Sequence, residues 1–140
     1  MSFREKILWA TLISGTAPYL WYFGSAGLAL AAGNGDTSLS IGGLVNALFV
    51  GLIVMIVAVV VVAVANRGRG SMIPDEREHR IESRGISISY HMLCTGVVLT
   101  IGAAWMGWSI VIIVHMITFT FILAELTRLI VEIYGLRRGY

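Results

Sequence analysis

Four apolar runs, each long enough to cross a lipid bilayer, constrain this chain more than any other feature. They cover residues 7–31, 41–65, 86–106 and 109–130. A helix needs about 20 apolar residues to span the roughly 30 Å hydrocarbon layer. Only 13% of the residues are charged, whereas soluble domains carry about 25%. The sequence therefore predicts an all-α membrane protein with four transmembrane helices in one domain, residues 1–140.

The first run also shares features with a secretory signal peptide. Arg4 and Lys6 precede it, and Ala29-Leu30-Ala31 resembles a cleavage site. However, its apolar stretch exceeds the 7–15 residues typical of a signal peptide. It also contains Pro18, which is expected to kink a helix. We interpret the run as a transmembrane helix that stays in the protein.

The basic residues predict the orientation in the membrane. With four crossings, the two termini and the loop of residues 66–85 share one side. All ten basic residues lie on or next to that side, and the two opposite loops contain none. They are Arg4, Lys6, Arg67, Arg69, Arg77, Arg80, Arg84, Arg128, Arg137 and Arg138. Because cytoplasmic loops carry an excess of Lys and Arg, we expect both termini in the cytoplasm.

The cytoplasmic loop has two parts. Residues 66–71 form a basic, glycine-rich hinge, and residues 74–85 predict a short cytoplasmic helix leading into the third span. This charged helix start is either a solvated surface or a docking surface for a cytoplasmic partner. Its spacing matches no metal or catalytic motif. The candidate docking residues are Asp75, Glu76, Arg77, Arg80, Glu82 and Arg84.

Ionisable and amide side chains inside the spans are functional candidates, because polar groups are costly in the bilayer. The candidates are Asn46, His91, His115, Glu125 and Arg128. His91 and Glu125 lie at similar depth, as do Asn46 and His115, so each pair is expected to be able to meet. Two interpretations stay open: Glu125 is simply hydrated or neutralised by Arg128, or it handles protons or cations.

The two histidines are also candidate axial ligands of a haem or a chlorophyll-type pigment. Their predicted depths differ by about 13 Å, which is too far apart to sandwich one haem. We predict no cofactor and no metal site, with such a pigment as the alternative. No sequence motif of an enzyme is present, and the net charge of +2 gives no indication of nucleic acid binding. The chain is therefore not expected to be an enzyme.

Small residues predict close helix packing in the second span. Gly43, Ala47 and Gly51 recur every four residues. This spacing places them on one helix face, where small side chains let two helix backbones approach. The neighbouring helix belongs either to this bundle or to another subunit.

Two segments resemble a family of uncharacterised small bacterial inner-membrane proteins. The matching positions are Phe3, Arg4, Glu5 and Lys6 before the first span, then Asp75, Glu76, Arg77, Ile81 and Glu82, then Tyr90. His91 replaces a second tyrosine of that pattern. The resemblance implies the four-helix layout and a bacterial inner-membrane location, with no established activity. Some similar proteins are thought to accompany small helix-turn-helix repressors, which suggests a membrane regulator.

Together these patterns predict a non-enzymatic integral membrane protein. Its partners are expected to be the lipid bilayer and other membrane subunits or further copies of the same chain. It would serve as an accessory subunit of a membrane complex or as a small membrane regulator. The alternative is an oligomeric small transporter or channel that uses Glu125 and His91.

Overall fold

The protein is all-helical in the residues that a computed structural model describes, which are 3–33, 39–65 and 76–138. This part of the chain forms four helices: α1 is Phe3–Ala31, α2 is Ile41–Ala65, α3 is Glu76–Trp105 and α4 is Ile110–Arg138. By length and composition, α2, α3 and α4 are each able to cross a membrane. The remaining helix, α1, does not meet the same criteria of length and composition.

The helix bounds agree with the predicted spans in some places and extend beyond them in others. The bounds of α2 coincide with the predicted second span. By contrast, α4 continues to Arg138, well past the predicted end at residue 130. The short helix predicted before the third span is the start of α3 itself, which runs without interruption through Gly85. Asp75 and the predicted hinge at residues 66–71 lie outside the described residues.

A tight turn joins α3 to α4. Gly107 has a φ of 77°, a left-handed conformation that glycine adopts without steric cost. The Trp108 amide donates to the Ala103 carbonyl at 3.2 Å, as in a Schellman helix end. The Ser109 hydroxyl then accepts from the Ile112 amide at 3.4 Å, so Ser109 caps the start of α4. This turn joins α3 and α4 in an antiparallel hairpin.

The helices pack with α4 at the centre. Its backbone packs against all three other helices, while α3 packs along α4 and meets α1 through charged side chains near its start. Close approach depends on glycines. A methyl group at Gly135 would lie 2.7 Å from Ile81 Cγ2, and one at Gly96 would lie 2.7 Å from Thr120 Cβ. These two contacts bring α3 and α4 together along most of their length.

The second pair of helices, α1 and α2, meets at the small residues predicted for helix packing. A methyl group at Gly51 would lie 3.0 Å from the Tyr19 ring, and one at Gly43 would lie 3.1 Å from Tyr22 Cε2. The two tyrosines of α1 therefore lie against the glycines of α2. Ala47, between these glycines, is half-buried.

Most of the apolar surface is exposed. Among the described residues, nine hydrophobic residues are buried and 34 large hydrophobic residues are exposed. One buried cluster contains Leu8, Leu129 and Ile133, with Trp9, Leu12 and Leu136 packed around it. Extended apolar surface of this kind marks contact with lipid or with another protein. Together with three helices that are able to span a bilayer, it defines a membrane protein.

Candidate functional site

An ionic cluster joins the ends of three helices. We use this name for Arg4, Glu78, Glu82, Glu125, Arg128 and Glu132. Arg4 at the start of α1 lies 2.9 Å from Glu82 and 3.5 Å from Glu78, both on α3. It also lies 3.8 Å from Glu132 near the end of α4. One guanidinium thus connects α1, α3 and α4 where they meet.

Glu132 is the buried member of the ionic cluster, with a relative exposure of 2%. Arg128 donates to it at 3.1 Å and also forms a two-bond ion pair with Glu125. Gly85 of α3 leaves space for the Glu132 side chain, because a methyl group at Gly85 would lie 3.2 Å from Glu132 Cγ. A buried carboxylate is costly unless it is paired, so Arg128 and Arg4 are needed to keep Glu132 in place.

A second ion pair extends this end of the bundle. Glu5 of α1 accepts from Arg137 of α4 at 2.9 Å. The same guanidinium lies 5.4 Å from the ring centroid of Trp9, a distance at which a cation is attracted to an indole face. The pair adds a further link between the start of α1 and the end of α4.

The ionic cluster divides the predicted docking residues into two groups. Glu82 turns inward to Arg4, whereas Arg77, Arg80 and Arg84 are exposed. Glu76 is also exposed, and Asp75 lies outside the described residues. The surface left for a cytoplasmic partner is therefore more basic than the sequence of this segment indicates.

A tyrosine–histidine cluster, Tyr22, Ser40 and His115, lies at the opposite end of α1. The Tyr22 hydroxyl lies 2.7 Å from His115 Nε2 and 3.0 Å from the Ser40 carbonyl oxygen. His115 is 5% exposed, and its Nδ1 lies 2.6 Å from the Val111 carbonyl oxygen. The Ser40 hydroxyl accepts from the Gly43 amide at 3.0 Å and so caps α2. This cluster links α1, α2 and α4.

Tyr22→Phe is expected to destabilise the protein by about 1–3 kcal/mol, because it leaves the buried His115 Nε2 without its partner. The free energy of SDS-driven unfolding in mixed micelles measures this loss. Tyr134→Phe is the matched control, since Tyr134 is exposed and no hydrogen bond of its hydroxyl is seen within the described residues. Equal effects of the two substitutions would contradict the role assigned to Tyr22.

The two pairings expected from depth do not form in the described part of the chain. His91 is exposed, and its Nδ1 lies 2.6 Å from the Ser87 carbonyl oxygen of its own helix. Glu125 pairs with Arg128 instead. Asn46 is exposed, and His115 meets Tyr22 instead of Asn46. The side chains of each expected pair point in different directions around their helix axes.

A cavity of 250 Å³ lies between α1, α2 and α4. Its wall is mostly apolar and includes the polar side chains of Thr11, Thr16, Tyr19 and Glu125. Since Arg128 neutralises Glu125, the cavity does not present an unpaired charge. This pairing corresponds to the first of the two interpretations left open for Glu125.

The outer face of α3 is the second notable surface. We define it by Ser87, His91, Cys94, Val98, Ile101 and Trp105, which are all exposed. They recur at alternating four- and three-residue steps, so they form one stripe along the helix. α3 turns its opposite side, with Gly85, Gly96 and Ala103, toward α4. The stripe carries a hydroxyl, an imidazole and a thiol within a helix that is able to span a membrane.

Sequence reasoning missed two residues on which these sites depend. Tyr22 was not among the candidate polar residues, and Arg4 was not expected to contact other helices. A buried tyrosine hydroxyl usually needs a hydrogen-bond partner. The position of Tyr22 within an apolar run could therefore have indicated that it bonds to another helix. No comparable local signal exists for Arg4, because its partners lie 74 to 128 positions away along the chain.

Comparisons with family models, with curated proteins and with solved structures found no match to this chain. The resemblance to a family of small bacterial membrane proteins therefore stays a prediction. In the described ranges, no group of three His, Cys, Asp or Glu side chains is arranged to hold a metal ion. His115 is already bonded through both ring nitrogens, whereas no hydrogen bond of His91 Nε2 is seen within the described residues.

Proposed function

We propose that this chain is a non-enzymatic protein of the bacterial inner membrane that acts through a partner. It is an accessory subunit of a membrane complex or a small membrane regulator. The partner packs a transmembrane helix against the outer face of α3. That helix belongs to another membrane protein or to a second copy of this chain.

One observation carries this proposal: two polar side-chain groups on the outer face of α3 have no hydrogen-bond partner among the described residues. Within the described residues, no hydrogen bond satisfies His91 Nε2 or the Ser87 hydroxyl. An unsatisfied polar group facing hydrocarbon is costly, whereas polar side chains commonly bond across the interface between two membrane helices. A neighbouring helix would satisfy these groups and cover Val98 and Trp105, which are 67% and 91% exposed.

The proposed topology has four spans with both termini in the cytoplasm. At about 1.5 Å per residue, the 29 residues of α1 reach across a bilayer, and α1 packs against both α2 and α4. The ionic cluster, Arg137 and the arginines of α3 lie at the same end of the bundle. Concentration of basic residues at one end supports a cytoplasmic location for that end.

Val98→Trp is expected to lower recovery of the partner about tenfold, the equivalent of roughly 1.4 kcal/mol of lost contact. The indole lies at the centre of the outer face of α3 and blocks an approaching helix. Co-purification in mild detergent measures the recovery. Cys94 is the chain's single cysteine and is exposed, so a cross-linker attached there identifies what covers this face. Two differently tagged copies show whether the partner is the same chain.

Val60→Trp is the matched control, because Val60 is an exposed valine of α2 with a relative exposure of 53%. The same recovery is expected for this variant as for the unaltered protein. If the chain purifies as a monomer with no other protein bound, or if both tryptophan variants lose the partner equally, the proposal is wrong.

The competing proposal is a small oligomeric transporter or channel that uses Glu125 and His91. The 250 Å³ cavity beside Glu125 favours it. Ion flux into liposomes separates the two proposals. A transporter is expected to show proton-coupled flux that Glu125→Gln abolishes. If the chain is an accessory subunit, neither the unaltered protein nor Glu125→Gln is expected to show flux above the lipid background.

A further inference from the structure

An open groove of 580 Å³ runs between α3 and α4, beside the outer face of α3. Isoleucines of both helices form its apolar floor: Ile81, Ile88 and Ile130. Arg84 of α3 and Arg138 of α4 line the same groove. The groove therefore combines an apolar trough with two cationic side chains.

Arg84 and Arg138 differ in their ion pairing from three arginines of α1 and α4. Arg4, Arg128 and Arg137 each have a glutamate partner within 3.1 Å. Neither Arg84 nor Arg138 pairs with a carboxylate in the described part of the chain. Arg138 instead lies over the ring of Tyr134, which also lines the groove, at 4.5 Å from the ring centroid. The two guanidinium groups are thus left available to an external anion.

We propose that this groove binds an anionic phospholipid of the surrounding membrane. The lipid phosphate lies between Arg84 and Arg138, and an acyl chain lies along the isoleucines. Guanidinium groups match phosphate oxygens in charge and in geometry. The apolar floor matches an acyl chain, so a phospholipid uses both parts of the groove. Basic residues at the end of membrane helices attract anionic lipid head groups in the same way.

Native mass spectrometry of the full chain tests this proposal. The protein is released from micelles that contain equal amounts of dioleoyl-phosphatidylglycerol and dioleoyl-phosphatidylcholine. We expect the unaltered protein to retain the anionic lipid with a preference of roughly tenfold, given two arginines near the head group. The double variant Arg84→Gln/Arg138→Gln is expected to retain both lipids equally. Both side chains are exposed, so these substitutions should not disturb folding.

Lys6→Gln/Arg80→Gln is the matched control, because it removes the same charge from residues that do not line the groove. This variant is expected to keep the preference. Equal retention of the two lipids by the unaltered protein would overturn the proposal. Equal loss in both double variants would also overturn it, since overall charge would then explain the binding.

A soluble head group separates the lipid from a free phosphate ligand. Glycerol 1-phosphate carries the phosphate without acyl chains, so it cannot use the apolar floor. We expect it not to displace phosphatidylglycerol at millimolar concentration. Displacement would show that the groove is a site for soluble phosphates and would overturn the proposal. Either result leaves the partner proposed for the outer face of α3 untouched, because neither Arg84 nor Arg138 is a residue of that face.

Discussion

Gly96→Ala is expected to destabilise the protein by about 2 kcal/mol, although alanine is the better helix former. The new methyl group would overlap the Thr120 side chain, with Thr120 Cβ at 2.7 Å. Overpacking of this kind typically costs about 1–3 kcal/mol, and the gain in helix propensity offsets up to about 1 kcal/mol. The net loss is expected because α3 must move away from α4 along its length. SDS-driven unfolding in mixed micelles measures it.

Gly102→Ala is the control for this prediction, because a methyl group at Gly102, in the same helix, would meet no atom of another helix within 4 Å in the described part of the chain. It is expected to be neutral or slightly stabilising. Thr120→Ala removes the side-chain atoms nearest to the new methyl group. The double variant Gly96→Ala/Thr120→Ala should therefore recover much of the lost stability. Equal stability of Gly96→Ala and Gly102→Ala would contradict the close contact between Gly96 of α3 and Thr120 of α4.

Arg128→Ala is expected to destabilise the protein by about 3 kcal/mol. Loss of one partner from a buried ion pair typically costs about 3–5 kcal/mol, and the lower value applies because the Arg128 side chain is 28% exposed. Glu132 would remain buried, with Arg4 at 3.8 Å as its remaining ion-pair partner among the described residues. The free energy of unfolding, measured under the same conditions for variant and unaltered protein, gives the size of the loss.

Glu132→Gln in the Arg128→Ala background distinguishes a lost charge partner from lost packing. It removes the buried negative charge, so we expect the double variant to be more stable than Arg128→Ala alone. Arg80→Ala is the surface control, with an expected change within about 0.5 kcal/mol. A double variant that is no more stable than Arg128→Ala would show that packing, and not the buried charge, explains the effect.

The parts of the fold that depend on local sequence were predicted well. The bounds of α2 coincide with its apolar run, because hydropathy along the chain reports directly on a buried or lipid-facing helix. The predicted spans end at residue 106 and begin again at residue 109, which agrees with the observed turn at Gly107. The ends of α3 and α4 were predicted less well. Their charged turns stay helical because carboxylates and guanidinium groups from other helices, such as Arg4 and Glu132, pair there.

The candidate site was predicted in composition more than in arrangement. His115, Glu125 and Arg128 were all identified as intramembrane polar residues, and the pairing of Glu125 with Arg128 follows from a separation of three residues in one helix. The polar side chains that meet between helices were not predicted as pairs. Their partners depend on how each helix is rotated about its axis, and depth in the membrane contains no information about that rotation.

The sequence by itself determined the helical class, the membrane setting and the residues that are costly to place in lipid. Each follows from chemistry that acts along one segment. Only the tertiary structure decided that Tyr22 instead of Asn46 meets His115, and that Arg4 reaches the buried Glu132. The physical reason is helix rotation, which is set by close packing at positions such as Gly96 and Thr120. That packing is a property of two facing surfaces and cannot be read from either helix alone.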